Sequence, residues 1–145
     1  MIRLGNKSDL DALLDLLEQF AREAGAALPR QHLKAGLVPM LQGIDLGEIW
    51  VLENTQELIG YLVIGWGWGI ESGGKEALID EVFIKPSHRN QGHGRQLVEH
   101  ALDHAKQQGA KTVFLETEKS NPDSRKLYVD LGFEIEESIW LRKAL

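Results

Sequence analysis

Hydrophobic and polar positions change period several times along the chain, and each change predicts an element. Met1 to Leu4 reads as a short strand. Leu10, Leu13, Leu14, Leu17 and Ala21 then share one helical stripe, with Ser8 as the expected N-cap and an end near Gly25. Pro29 restarts a helix through about Gln42, which Pro39 is expected to interrupt. Glu48 to Glu53 and Leu58 to Trp66 flank the polar Asn54-Thr55-Gln56-Glu57 and predict a hairpin. Gly65-Trp66-Gly67-Trp68-Gly69 should break its regularity. Glu76 to Ile84 predicts the next strand, and Leu97, Val98, Ala101, Leu102 and Ala105 a one-sided helix closed by Gly109. Thr112 to Thr117 is a β-rich run, Pro122 to Leu131 a short helix stopped by Gly132, and Phe133 to Leu141 a terminal strand.

This alternation of strands and helices predicts one α/β domain over residues 1–145. With 43% hydrophobic and 26% charged residues the chain can bury a core of its own. The net charge of −6 argues against nucleic acid, whose phosphates need a basic face, and weakly favours cationic or neutral small molecules. There is no cysteine, which removes disulfides, thiolate metal sites and any acyl-cysteine intermediate. MIRLGNKSDL lacks a signal-peptide core, and no run of about 18 apolar residues exists for a membrane span. The expected location is the cytoplasm, with no membrane partner.

Between the strand ending at Ile84 and the helix through Leu97 lies Arg89-Asn90-Gln91-Gly92-His93-Gly94-Arg95. A strand running through a glycine-containing turn into a helix N-terminus makes an anion cradle: unpaired N–H groups point outward, glycines admit close approach, and Arg89 adds charge. The motif is neither the dinucleotide G-x-G-x-x-G nor the P-loop, so hydride transfer and nucleotide hydrolysis drop out.

The R-x-x-G-x-G spacing, after Val82, Ile84 and Pro86, resembles the pyrophosphate-binding signature of the GNAT superfamily of N-acetyltransferases. Asn121-Pro122-Asp123-Ser124-Arg125-Lys126-Leu127-Tyr128 with Leu131-Gly132-Phe133 resembles that family's second motif, with Ser124 in place of the usual alanine. The resemblance spans roughly Ala77 to Phe133. It implies the acyl-CoA N-acyltransferase fold, a central mixed, mostly antiparallel sheet flanked by helices, with acetyl-CoA as cofactor. It implies an N-acetyltransferase acting on a small-molecule or peptide amine, or a noncatalytic acyl-CoA sensor of the same fold. A homodimer is among the expected assemblies.

The resemblance assigns backbone N–H groups of Val82, Phe83 and Ile84 to the thioester and pantetheine. It assigns Arg89, Asn90, Gln91, Gly92, His93, Gly94 and Arg95 to the pyrophosphate, Asn121 to the pantetheine arm, and Ser124 to a further hydrogen bond with the cofactor. Tyr128, protonated at neutral pH, is the expected general acid. Glu81 is the expected base and Asp80 the expected binder of the amine, although a regular strand would point the two to opposite sides unless a bulge intervened. Trp68 is the expected wall of the acceptor pocket. Trp50 reads as core, and His100 and His104, four residues apart, as a solvated face rather than a metal pair.

Overall fold

A computed structural model describes residues 1–145. Nine elements form in the order β1 (Ile2–Leu4), α1 (Leu10–Glu23), α2 (Arg30–Leu41), β2 (Gly47–Glu53), β3 (Leu58–Gly69), β4 (Gly74–Ile84), α3 (His93–Gln107), β5 (Thr112–Leu115) and α4 (Pro122–Asp130). The sheet order is β1-β2-β3-β4-β5, antiparallel throughout except that β4 and β5 run parallel. No helix is long and apolar enough to cross a membrane.

Side chains alternate across each strand, so the sheet carries two cores. Ile49, Val51, Tyr61, Val63 and Phe83 meet Leu13, Leu14, Leu16, Leu17 and Leu37 of α1 and α2. Leu52, Leu62, Ile64, Ala77 and Ile79 meet Leu97, Val98, Ala101 and Ala105 of α3. The first half of β3 is therefore buried on both faces and reads as an unbroken apolar run. Gly60 lets β4 come close: a Cβ there would stand 2.6 Å from the Phe83 carbonyl oxygen.

Several expectations need correction. The entry to α1 is capped by Asn6 and Asp9 rather than Ser8. Asn6 Oδ1 accepts from the Ser8 N–H at 2.9 Å, and Asp9 Oδ2 accepts from the Asn6 N–H at 2.8 Å. The nearly buried Asp9 carboxylate also takes both Arg3 guanidinium nitrogens at 2.8 Å, which fixes the turn and holds its pKa below the ordinary value. Pro39 does not interrupt α2, which continues to Leu41; the missing N–H costs the Ala35 carbonyl its helical partner near an end already short of donors. The Gly-Trp alternation leaves β3 intact, since the ladder continues to Gly69 opposite Gly74. The terminal strand expected from Phe133 to Leu141 does not form. No backbone hydrogen bond involves residues 134–145.

His100 and His104 do not form a solvated face. Trp50 reaches past the apolar stripe of α3, and its ring lies 4.4 Å from the His100 ring and 4.8 Å from the His104 ring. His104 Nε2 and Trp50 Nε1 converge on Glu48 Oε2 at 2.7 and 3.1 Å. His100 Nε2 is buried with no partner. Burial, reinforced by His104 and opposed by Asp103, pushes the His100 imidazole below the ordinary histidine value.

A neutral form favoured in the folded state means that the unfolded chain takes up the proton first as pH drops. This contribution to stability should be complete above about pH 6.5 and decline as pH falls through the lower folded value. His100→Phe keeps a ring against Trp50 and should flatten that part of the curve in urea titrations between about pH 5 and 7.5. An unchanged slope would assign the acid sensitivity to other groups.

Candidate active site

β4 holds one residue more than the stretch of β3 opposite it. Val63 pairs with Glu81 and Ile64 with Ile79, which leaves Asp80 as the extra residue of a β-bulge. The bulge brings consecutive side chains to one side, and both Asp80 and Glu81 line the same cleft. It also marks where β4 leaves β5, because the parallel ladder stops at Ile79 opposite Leu115. Beyond that point the β5-facing backbone edge of Val82, Phe83 and Ile84 has no strand partner. Phe83 and Ile84 have buried side chains, and the alternation of the ladder turns the backbone N–H groups of Val82 and Ile84 toward this gap while Phe83 pairs with Tyr61 of β3.

The gap opens into a cleft of about 360 Å³. Leu115, Glu116, Thr117 and Glu118 form its far wall, and Phe20, Glu23 and Ala24 at the end of α1 close one side. Asn121, Ser124 and Tyr128 reach it from α4. Asn121 caps that helix, its Oδ1 accepting from the Ser124 N–H at 3.3 Å. The Tyr128 ring packs edge-on against Phe133 at 6.0 Å, and burial raises the pKa of its hydroxyl. That hydroxyl donates to no group of the chain and remains a protonated donor in the cleft.

Glu81 is held from behind. The hydroxyl of Tyr61, itself fully buried, donates to Glu81 Oε2 at 2.8 Å. Burial raises the Glu81 pKa, the Tyr61 hydrogen bond opposes the rise, and Asp80 adds to it. A carboxylate with a raised pKa, oriented by a fixed donor, has the properties of a general base. Tyr61 escaped the sequence reading because it sits in an apolar run and looks like a core aromatic. Its pairing with Phe83, two residues from Glu81, is the signal that a register would have supplied.

At the cradle, Gly92 takes φ of +83° and caps α3. The N–H groups of Asn90, Gln91, Gly92, His93, Gly94 and Arg95 donate to no acceptor in the chain; the first helical bond runs from Gln96 to the Gly92 carbonyl at 3.0 Å. Six successive free donors at a helix start fit a pyrophosphate. A Cβ built on Gly94 meets nothing within 4 Å, so the space before it is open. Arg89 is already engaged: Nε donates to the Ile84 carbonyl at 2.8 Å and a terminal nitrogen reaches both Glu23 oxygens at 2.8 Å. It therefore braces the turn against α1. His93 and Arg95 pair with Gln96 and Glu99 along the helix. Trp68 stands apart from the cleft, 78% exposed near the β3–β4 turn. No group of three or more potential metal ligands occurs.

A parted β4–β5 pair beside a helix start with six free N–H groups fits an acyl-CoA transferase architecture. Residues 12–133 match the Acetyltransferase (GNAT) family model, and the chain belongs to that family. Among relatives, an uncharacterized N-acetyltransferase, YhfO of Bacillus subtilis (strain 168), is 30% identical over 92% of this chain and 89% of its own length. The ribosomal protein bS18-alanine N-acetyltransferase of Escherichia coli (strain K12) is 38% identical over 40% of this chain and 39% of its own. Among solved structures, the aminoglycoside N-acetyltransferase AAC(6')-Iy in complex with CoA superposes with a TM-score of 0.86 at 23% identity. That superposition covers all of this chain and 95% of that one and bears on the fold. The protein is an acetyl-CoA-dependent acetyltransferase.

Two outcomes follow from the geometry. Gly94→Val should lower affinity for CoA at least tenfold by calorimetry, because a branched side chain fills the space that a phosphate would occupy. The open surroundings of Gly94 should leave the unliganded Tm within a few degrees of the parent. Unchanged CoA affinity would remove the cradle from the cofactor site. Tyr61→Phe removes the hydrogen bond that favours ionised Glu81, so the rising limb of the pH–rate profile should move to higher pH. A limb that stays in place would separate Glu81 from the titration that controls rate.

Proposed function

We propose that this acetyltransferase transfers the acetyl group directly to a primary amine, in a small molecule or peptide, that carries further positive charge. The observation that carries this reading is the lining of the cleft. Asp80, Glu81, Glu116 and Glu118 contribute carboxylates to it beside Glu23, which Arg89 already pairs, and no lysine or arginine lines it. Such a surface favours a cation over a neutral or acidic acceptor.

Acetyl-CoA supplies the activated acyl group as a thioester. The free N–H groups of Asn90 to Arg95 hold its pyrophosphate, while Asn121 and Ser124 flank the pantetheine arm. The N–H groups of Val82 and Ile84, on the edge of β4 turned away from β3, would donate toward the thioester carbonyl and so favour the charge that develops on its oxygen, with Phe83 between them held in the β3 ladder. Asp80, exposed at the bulge, receives the ammonium group. Glu81 takes a proton from it, giving the neutral amine that attacks. Tyr128 returns a proton to the departing sulfur. The sequence contains no cysteine, so the acyl group passes without an acyl-cysteine step. The reading extends to a homodimer working in the cytoplasm.

Tyr128→Phe preserves ring packing and should lower kcat by about 10²-fold while CoA affinity is retained. Glu81→Gln should reduce turnover of the best amine with a similarly intact cofactor site. Thiol release should be faster with di- and polyamines than with neutral or acidic amines across the same panel. Equal use of acidic amines would refute the cationic acceptor, and thiol release with none of the panel would favour an acyl-CoA sensor.

A further inference from the structure

Arg89 opens the R-x-x-G-x-G run, where a phosphate contact is expected of it, yet every contact that it makes lies elsewhere. Its Nε donates to the Ile84 carbonyl at 2.8 Å, and Nη2 donates to both Glu23 oxygens at 2.8 Å. The guanidinium carbon stands over the Phe83 ring, 5.4 Å from its centre. One forked, planar side chain thus ties the end of β4 to the end of α1.

The end of α1 has little else to hold it. Glu23 is the last helical residue, and Gly25 turns the chain away with φ of +72°. Every residue from Arg22 to His32 is exposed, so burial does not fix this turn. The ion pairs of Arg30 reach an earlier stretch of the helix, at Asp15 and Glu18. Three backbone bonds close the turn, from the Ala24, Gly25 and Ala26 N–H groups to the Phe20, Arg22 and Ala21 carbonyls at 3.0, 3.1 and 2.9 Å. A cation beside it also meets the partial negative charge of the helix end. Phe20, Glu23 and Ala24 of this turn line the cleft that contains Asp80 and Glu81. One wall of the cleft therefore takes its position from a side chain of the cradle turn.

We propose that Arg89 is a positioning residue for the acceptor: it holds the last turn of α1 as a wall of the amine site, and the pyrophosphate is bound without it. This inference rests on the amine acceptor proposed above. Two other roles for Arg89 predict different outcomes. A phosphate contact would make its loss weaken CoA binding. Simple neutralisation of Glu23 would make its loss turn the cleft more acidic, so that cationic amines bind better.

In the full chain, Arg89→Gln should raise KM for the best di- or polyamine about fivefold, with kcat less affected and CoA affinity by calorimetry within about twofold of the parent. Arg89→Lys keeps the charge but lacks the fork that spans Ile84 and Glu23, and it should behave like Arg89→Gln. Amide hydrogen exchange at Ala24, Gly25 and Ala26 should quicken about fivefold in both unliganded variants, while the exposed pair leaves Tm within a few degrees. CoA affinity lowered about tenfold, a KM that stays or falls, exchange at the parent rate, or an Arg89→Lys protein that matches the parent would each overturn the proposal. If the parent turns over no amine, the acceptor reading falls by itself, and exchange together with CoA affinity still decides the role of Arg89.

Discussion

One inserted residue organises the catalytic half of this molecule. With Asp80 added to β4, the ladder to β5 stops at Ile79, two carboxylates face the same opening, and a stretch of main chain is left without a strand partner. A buried amide without a partner costs about 1–3 kcal/mol, so an open strand edge persists where water or a ligand can satisfy it. The bulge thus creates the opening and the donors that make the opening useful. A regular β4 would continue pairing and send one of the two acids into the opposite face of the sheet.

What holds the bulge in place is burial rather than surface charge. Phe83, two residues beyond Glu81, stacks tilted against Tyr61 at 5.8 Å and edge-on against Phe20 at 6.3 Å. These rings tie β4 to β3 and to the end of α1, which also closes the cleft. Aromatic pairs of this kind contribute about 0.5–1.5 kcal/mol each beyond area burial. The Arg89–Glu23 ion pair links the same regions, but its side chains are 40 and 46% exposed, where pairs contribute about 0–1 kcal/mol. The packed rings therefore set the position, and the ion pair selects the conformation of the turn. Tyr61 serves both purposes, since its ring is packing and its hydroxyl aims Glu81.

The parts of this architecture that are local in sequence were legible there. The cradle is a run of consecutive residues, and the Asn121 cap and Tyr128 lie on one short helix, so spacing alone could locate them. Apolar runs marked the central strands because each face of the sheet has its own core. The bulge was not legible, because register is a relation between two strands and Asp80 looks ordinary in one. Tyr61 and the α1 end were missed for the same reason, as their role depends on pairing across the sheet. His100 and His104 were misread because the stripe rule treats all partners as equal in size, and Trp50 is large enough to cover two positions outside it. The terminal strand is instructive in a different way: Phe133 to Leu141 has the pattern of a strand, yet it makes no strand pairing although one edge of β5 is free, so pattern alone does not supply a partner.

In the proposed reading the cradle and the acidic cleft differ in how they select charge. In the cradle, Arg89 and Arg95 are paired with Glu23 and Glu99, so little uncompensated side-chain charge remains there for an anion. Attraction must come from six free N–H groups and a helix start equivalent to roughly half a positive charge. Those donors do not titrate, and they act only on a group that fits within hydrogen-bond reach. The acidic cleft proposed for the acceptor would work through carboxylates, whose attraction extends about 8–10 Å at ordinary ionic strength and weakens with salt. An acidic protein can therefore bind an anionic donor through geometry and draw in a cationic acceptor through field, with neither mode cancelling the other. Adding lysines to the cradle would increase anion affinity only by raising the potential that the acceptor must also cross.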